Sequence, residues 1–237
     1  MAVTSVTCKP ASGKSGFNCS NWEETINVYG TRVFIIGDRD LQLPRSVTEM
    51  ELTTCPRLLE ASDKLKDVIK YCFKPFERTI AGMLIRGTRK TIKSKCTVPQ
   101  EREFIVKHLS CIRDQSRFDL FHDVIDMYNR KLIYIRDNVP DGNKLDLTCC
   151  HYMEARKEIA STAKKFCPPV AVQYALDMVD DMMREALDVA CSTYQHDASK
   201  CKPVMKGNPL SVSMRSPKEN IAFLVPLIKV LAAVGQH

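Results

Sequence analysis

The sequence predicts an all-α protein: a disulfide-stapled helical bundle built from two related helical hairpins behind an irregular N-terminal segment. Three observations predict it. From residue 55 onward, apolar side chains recur at three- and four-residue steps. Prolines sit at the starts of these periodic segments and seldom inside them. Eleven cysteines among 237 residues form an unusual thiol load for a reducing cell, and their spacings repeat.

The elements follow in order. Residues 1–54 carry Cys8 and Cys19 and show no sustained period. Ile26–Tyr29 and Arg32–Ile36, parted by Gly30-Thr31, read as a short β-hairpin. Ser20-Asn21-Trp22-Glu23 equally reads as the cap of a short helix. Leu58, Ala61, Leu65, Val68 and Cys72 form one helical stripe, and Phe76, Ile80, Met83, Gly87 and Ile92 a second behind Pro75. After Thr97-Val98-Pro99-Gln100, a shorter helix carries Phe104, His108 and Cys111. Phe118, Phe121, Ile125, Tyr128, Leu132 and Ile135 alternate by three and four, which suits packing between helices. Residues Asn138–Asn143 form a turn, and two helices follow, from about Leu147 to Phe166 and from Pro168-Pro169 to about Ala190.

The domain organisation is therefore an irregular segment 1–54, a disulfide-linked helical domain 55–201, and a linker with an apolar helix over 202–237. Ile221–Val234 is too short to span a bilayer, which takes about 20 residues. Ser216-Pro217-Lys218-Glu219 resembles a capping box, so a packed helix is expected beyond it. The competing reading is a glycolipid-anchor signal, with small residues at Ser211 and Ser213 ahead of an apolar tail.

The cysteines repeat. Cys55, Cys72 and Cys96 are separated by 17 and 24 positions, and so are Cys150, Cys167 and Cys191, an offset of 95. In an antiparallel hairpin the start of one helix lies beside the end of the next. Cys55–Cys96 and Cys150–Cys191 are therefore expected to clamp the two open ends, at about 55–96 and 150–191. Cys72 and Cys167, at the hairpin turns, need partners elsewhere, such as Cys111 or Cys149. Adjacent Cys149 and Cys150 are expected to tie one helix to two different neighbours.

Cysteine usage points to an oxidising, extracellular setting. Residues 1–16 lack the apolar run of a signal peptide, so the chain reads either as a cytosolic protein or as a form whose leader is missing. Asn18-Cys19-Ser20 is a glycosylation sequon. Charge divides the hairpins: residues 55–98 hold eleven basic and four acidic side chains, +7, whereas residues 148–192 hold five and seven, −2. Arg86, Arg89, Lys90 and Lys93 share a helical face, with Lys95 nearby. That face reads as a solvated surface or as a site for a polyanion, such as a sulfated glycan or an anionic membrane. No aromatic residue interleaves with it, which disfavours nucleic acid.

Catalytic and metal motifs fail on inspection. Gly13-Lys14-Ser15 lacks the leading glycine of a phosphate-binding loop, where Cys8 stands. Asp137–Thr148 has Asp141-Gly142 in calcium-loop register but ends on Thr148 instead of glutamate. Neither C-x-x-C nor H-E-x-x-H occurs, and His122/Asp126 and His196-Asp197 are isolated pairs, so no metal or cofactor is expected. Cys149-Cys150-His151 is similar to the paired-cysteine helix of secreted phospholipases A2, but that dyad needs histidine at Met153 and aspartate at Glu154.

Helices separated by widely spaced cysteines over about Cys55 to Cys201, with the Cys149-Cys150 pair, resemble the hemolymph-glycoprotein-like families of arthropods, secreted cysteine-rich helical proteins of invertebrates. The resemblance implies an extracellular all-α protein without catalytic residues. Two non-enzymatic functions are expected. The first is a binding or carrier module for a lipid or other hydrophobic molecule, with Met178, Met182, Met183 and Leu187 either lining its pocket or filling the core. The second is attachment to a polyanion through Arg86–Lys95. Hydrolysis dependent on His122 or His151 ranks third.

Overall fold

The computed structural model describes residues 18–34, 38–195, 197–207, 210 and 222–234. Cys8, Gly13–Ser15, His196 and the Ser211–Glu219 signals lie outside them. The described chain is all-α, without strands.

The first element is a helix, α1 (Trp22–Val33), and not the alternative hairpin. Glu23 and Glu24 favour its positive N-terminus, and Ile26, Gly30 and Val33 bury one face. The segment 1–54 is thus less irregular than expected. After Leu41 and Leu43 plug into the core, a single turn, α2 (Val47–Glu49), is capped by Ser46, whose side chain accepts from the Glu49 amide. A π-helical turn at Met50–Thr54 runs straight into α3 (Cys55–Cys72). The second helix of this hairpin is α4 (Pro75–Thr97), followed by α5 (Pro99–His108) and a 3₁₀ turn at Leu109–Ile112. Proline opens both helices, where its missing N–H costs nothing.

The second half repeats this plan. Asp114 accepts from the Ser116 and Arg117 amides to start α6 (Gln115–Asn138). Next come α7 (Asp141–Ala163) and α8 (Pro169–Ala190). The turn before α7 is shorter than the sequence suggested. Asp141 already lies in the first helical turn and pairs with Lys144, in an arrangement unlike a calcium loop. The chain then passes through α9 (Ser192–Gln195) and α10 (Cys201–Gly207). It returns as α11 (Leu224–Val234), whose Leu224, Ile228, Val230 and Leu231 are fully enclosed. This apolar helix packs as core against α6, α7, α4 and α1. Pro226 falls in its first turn, where a missing N–H is tolerated.

An offset of 95 carries α1, the helical run 47–72 and α4 onto α6, α7 and α8. The bridges repeat too. Cys19–Cys72 and Cys111–Cys167 each tie the residue ahead of a long helix to the next hairpin turn. Cys55–Cys96 and Cys149–Cys191 each close a hairpin. The expected Cys150–Cys191 clamp is corrected: Cys191 takes Cys149, and Cys150 reaches Cys201 at the start of α10. Adjacent helical residues diverge by about 100°, so two neighbouring cysteines on α7 face different elements. Of the partners expected for the turn cysteines, Cys111 holds Cys167, while Cys72 takes Cys19.

The halves meet where α4 crosses α8. A Cβ on Gly87 would lie 2.5 Å from the Met182 carbonyl oxygen, so only glycine permits this approach. Gly87 and Met182 are 95 positions apart. Equivalent positions of the repeat therefore touch.

Candidate functional site

Because α8 packs most extensively on α4, it leans away from its hairpin partner α7. Cys149–Cys191 holds that hairpin at one end, and farther along Arg156 and Asp180 bridge it with a bidentate ion pair. Between α7 and α8 the divergence opens an apolar cleft of about 130 Å³.

Each wall follows from a local pattern. From α7, Tyr152, Ala155 and Ile159 face inward at three- and four-residue steps, with Arg156 at the edge. From α8 come Leu176, Val179 and Met183, flanked by Met178 and Met182. The far wall is Ile125 and Tyr128 of α6, Gly30 and Val33 of α1, and Ala222 before α11. Phe34 and Phe223 meet edge to face at 4.6 Å and close one end. Of the predicted Met-rich stripe, Met178, Met182 and Met183 line this cleft. Leu187 lies instead beside a smaller adjoining void of about 40 Å³, which shares Tyr128, Tyr152 and Met183 with the cleft.

One polar atom in this wall lacks a partner. The Tyr152 ring is half-buried, but its hydroxyl oxygen is fully enclosed and makes no hydrogen bond. Burial, reinforced by the Asp180 charge, pushes its pKa well above the ordinary tyrosine value. It is a neutral donor on an apolar surface, a state that costs about 1–3 kcal/mol while the donor stays unpaired. Tyr152 stands in none of the apolar stripes that the sequence marks out. The one available signal was its place beside the Cys149-Cys150 pair.

The predicted basic face divides. Arg86, Lys90 and Lys93 are exposed and Arg89 is half-buried. Arg86 pairs with Glu185 at 3.5 Å and Arg89 with Asp63 at 2.7 Å. Lys95 does not belong with them. It turns to the opposite side, donates to Glu101 at 2.8 Å and sits over the Tyr174 ring. Lys95 and then Tyr174, both donating to Glu101, hold that carboxyl below its ordinary range against the opposing effect of burial.

The remaining candidates are held by their neighbours. His122 is buried and stacks edge-on against Phe118, while Asp126 binds Arg39 together with Asp123. His151 is buried with Nδ1 2.9 Å from Glu154, which also accepts from Lys131. Burial lowers the His151 pKa in spite of Glu154. Among the described residues, no three histidine, cysteine, aspartate or glutamate side chains gather as a metal site. Asn18 of the sequon is exposed, and its side-chain oxygen accepts from the Ser20 amide and hydroxyl.

No protein-family model, curated protein or solved structure matches the chain. The fold and its bridges define it as a disulfide-stapled all-α protein. Five disulfides suit an oxidising compartment, and among the described residues no helix is long and apolar enough to cross a membrane.

Proposed function

We propose that this is a secreted, non-catalytic protein that binds a small apolar molecule bearing one hydrogen-bond acceptor, in the cleft between α7 and α8. The observation that carries the reading is the enclosed, unpartnered Tyr152 hydroxyl in an otherwise apolar wall. A ligand carbonyl, ether or hydroxyl oxygen accepts that hydrogen once the side chains covering it shift, and this removes the desolvation cost. A cavity near 150 Å³ holds a benzene-sized molecule. The flexible side chains of Met178 and Met182 can yield to a somewhat larger one. The resemblance to secreted helical proteins of invertebrates agrees with this setting, as does the exposure of Asn18 in its sequon.

The test uses toluene and acetophenone, which share a ring and differ by a carbonyl, in calorimetric titrations. Both are expected to bind, acetophenone about five- to tenfold more tightly, as one hydrogen bond provides. Tyr152→Phe erases that preference and leaves toluene unchanged, while Ala155→Trp fills the cleft and abolishes both. Binding that survives Ala155→Trp, or an acetophenone preference that survives Tyr152→Phe, overturns the reading.

A further inference from the structure

On the outer side of the first hairpin, α3 and α4 enclose a separate groove of about 630 Å³. Its floor is Ile69, Ile85 and Gly82, where the absent side chain leaves the groove open. Lys66 and Lys70 of α3 form one rim. Arg78, Arg86, Arg89, Lys90 and Lys93 of α4 form the other. Arg86, Arg89, Lys90 and Lys93 are joined here by Lys66 and Lys70 from across the groove and by Arg78 about two turns earlier on α4. The acidic groups nearby are Asp63 and Glu185, on Arg89 and Arg86, and Asp67 beside Lys70. Among the described residues, Lys66, Lys90 and Lys93 are held by no carboxylate.

The repeat supplies an internal control. At an offset of 95, Arg86, Lys90 and Lys93 correspond to Asp181, Glu185 and Asp188 on the equivalent face of α8. The fold tolerates either sign at these positions. The positive charge of the first hairpin is therefore not a requirement of the helical architecture.

We propose that the α3–α4 groove binds a linear sulfated polysaccharide. Arg78 to Lys93 spans ~22 Å along α4 at 1.5 Å per residue, so the ligand must repeat its charge over that distance. A single phosphate or lipid headgroup meets only a few of these cations. A bilayer is too flat to follow the groove between α3 and α4, whereas an extended sugar chain lies along it between the two basic rims. No aromatic ring lines the groove to stack bases, which sets nucleic acid aside.

The experiment titrates a heparin-derived oligosaccharide, and separately phosphatidylserine vesicles, into the wild-type protein and two groove variants. One variant combines Lys66→Ala, Lys90→Ala and Lys93→Ala. The other, Gly82→Glu, places an anion on the floor, removes no cation and raises helix propensity, so it folds. Both are expected to bind the oligosaccharide about tenfold more weakly or worse at low salt, as the loss of several exposed ion pairs implies. A control combining Lys157→Ala, Lys164→Ala and Lys165→Ala binds like wild type. Unchanged binding in Gly82→Glu, equal loss in the control, or wild-type binding to vesicles but not to the oligosaccharide overturns the proposal.

Discussion

The adjacent cysteines of α7 allow a decisive substitution. Cys149→Ala should free Cys191, and Cys150→Ala should free Cys201. The two bridges span 42 and 51 residues. In the chain-entropy description, loops of that size each contribute about 4 kcal/mol by restricting the unfolded chain. For a protein of this length that amounts to a fall of about 8–16 °C in the thermal midpoint for either variant. No protease separates residues 149 and 150, so the assignment is read from the released partner. Cys191 and Cys201 are only 6% and 5% exposed, so the thiol must be alkylated under denaturing, non-reducing conditions. Mass spectrometry of the digest then compares each variant with wild type. If Cys149→Ala exposes Cys201, the helical orientation assigned to α7 is wrong. If either variant melts within a degree of wild type, that bridge does not restrain the chain as described.

Three further predictions test other parts of the structure. Gly87→Ala should destabilise by about 1–3 kcal/mol in urea unfolding, since its new methyl meets the Met182 carbonyl. On helix propensity alone the same change would stabilise by about 1 kcal/mol, so the sign decides. Lys95→Ala should cost about 1 kcal/mol through its lost contacts with Glu101 and Tyr174, while heparin binding stays at the wild-type level. His151 has a folded pKa below its ordinary 6.5, because burial keeps the ring neutral. The unfolded chain therefore takes up this proton first as pH falls. Stability is full above about pH 6.5 and declines below it toward the folded value. His151→Gln should show a shallower decline in urea midpoint between about pH 7 and about pH 5, and an unchanged slope would remove His151 from the acid response.

Much of the fold was legible because helical periodicity is a local property. The stripe Leu58–Cys72 and the alternation Phe118–Ile135 mark buried faces wherever the helices end up, and Leu65, Leu132 and Ile135 are fully enclosed. The offset of 95 likewise survives from sequence to structure, since equal spacing along similar helices brings out equal geometry. The candidate sites were half legible. Arg86, Arg89, Lys90 and Lys93 follow from positions on one helix, but Lys66 and Lys70 join them only when α3 and α4 pack. Lys95 leaves them because it lies on the opposite side of α4.

By itself, then, the sequence determined the long helices from residue 55 onward, their buried stripes, the doubled cysteine spacing and the uneven charge of the two hairpins. All of these depend on residues within a few turns of one another. Only the tertiary structure decided which of Cys149 and Cys150 meets Cys191, because one residue step rotates a side chain by about 100° and its target lies 41 positions or more away. It alone decided that α8 follows α4 across Gly87 and parts from α7. That divergence opens the cleft and leaves the Tyr152 hydroxyl enclosed without a partner.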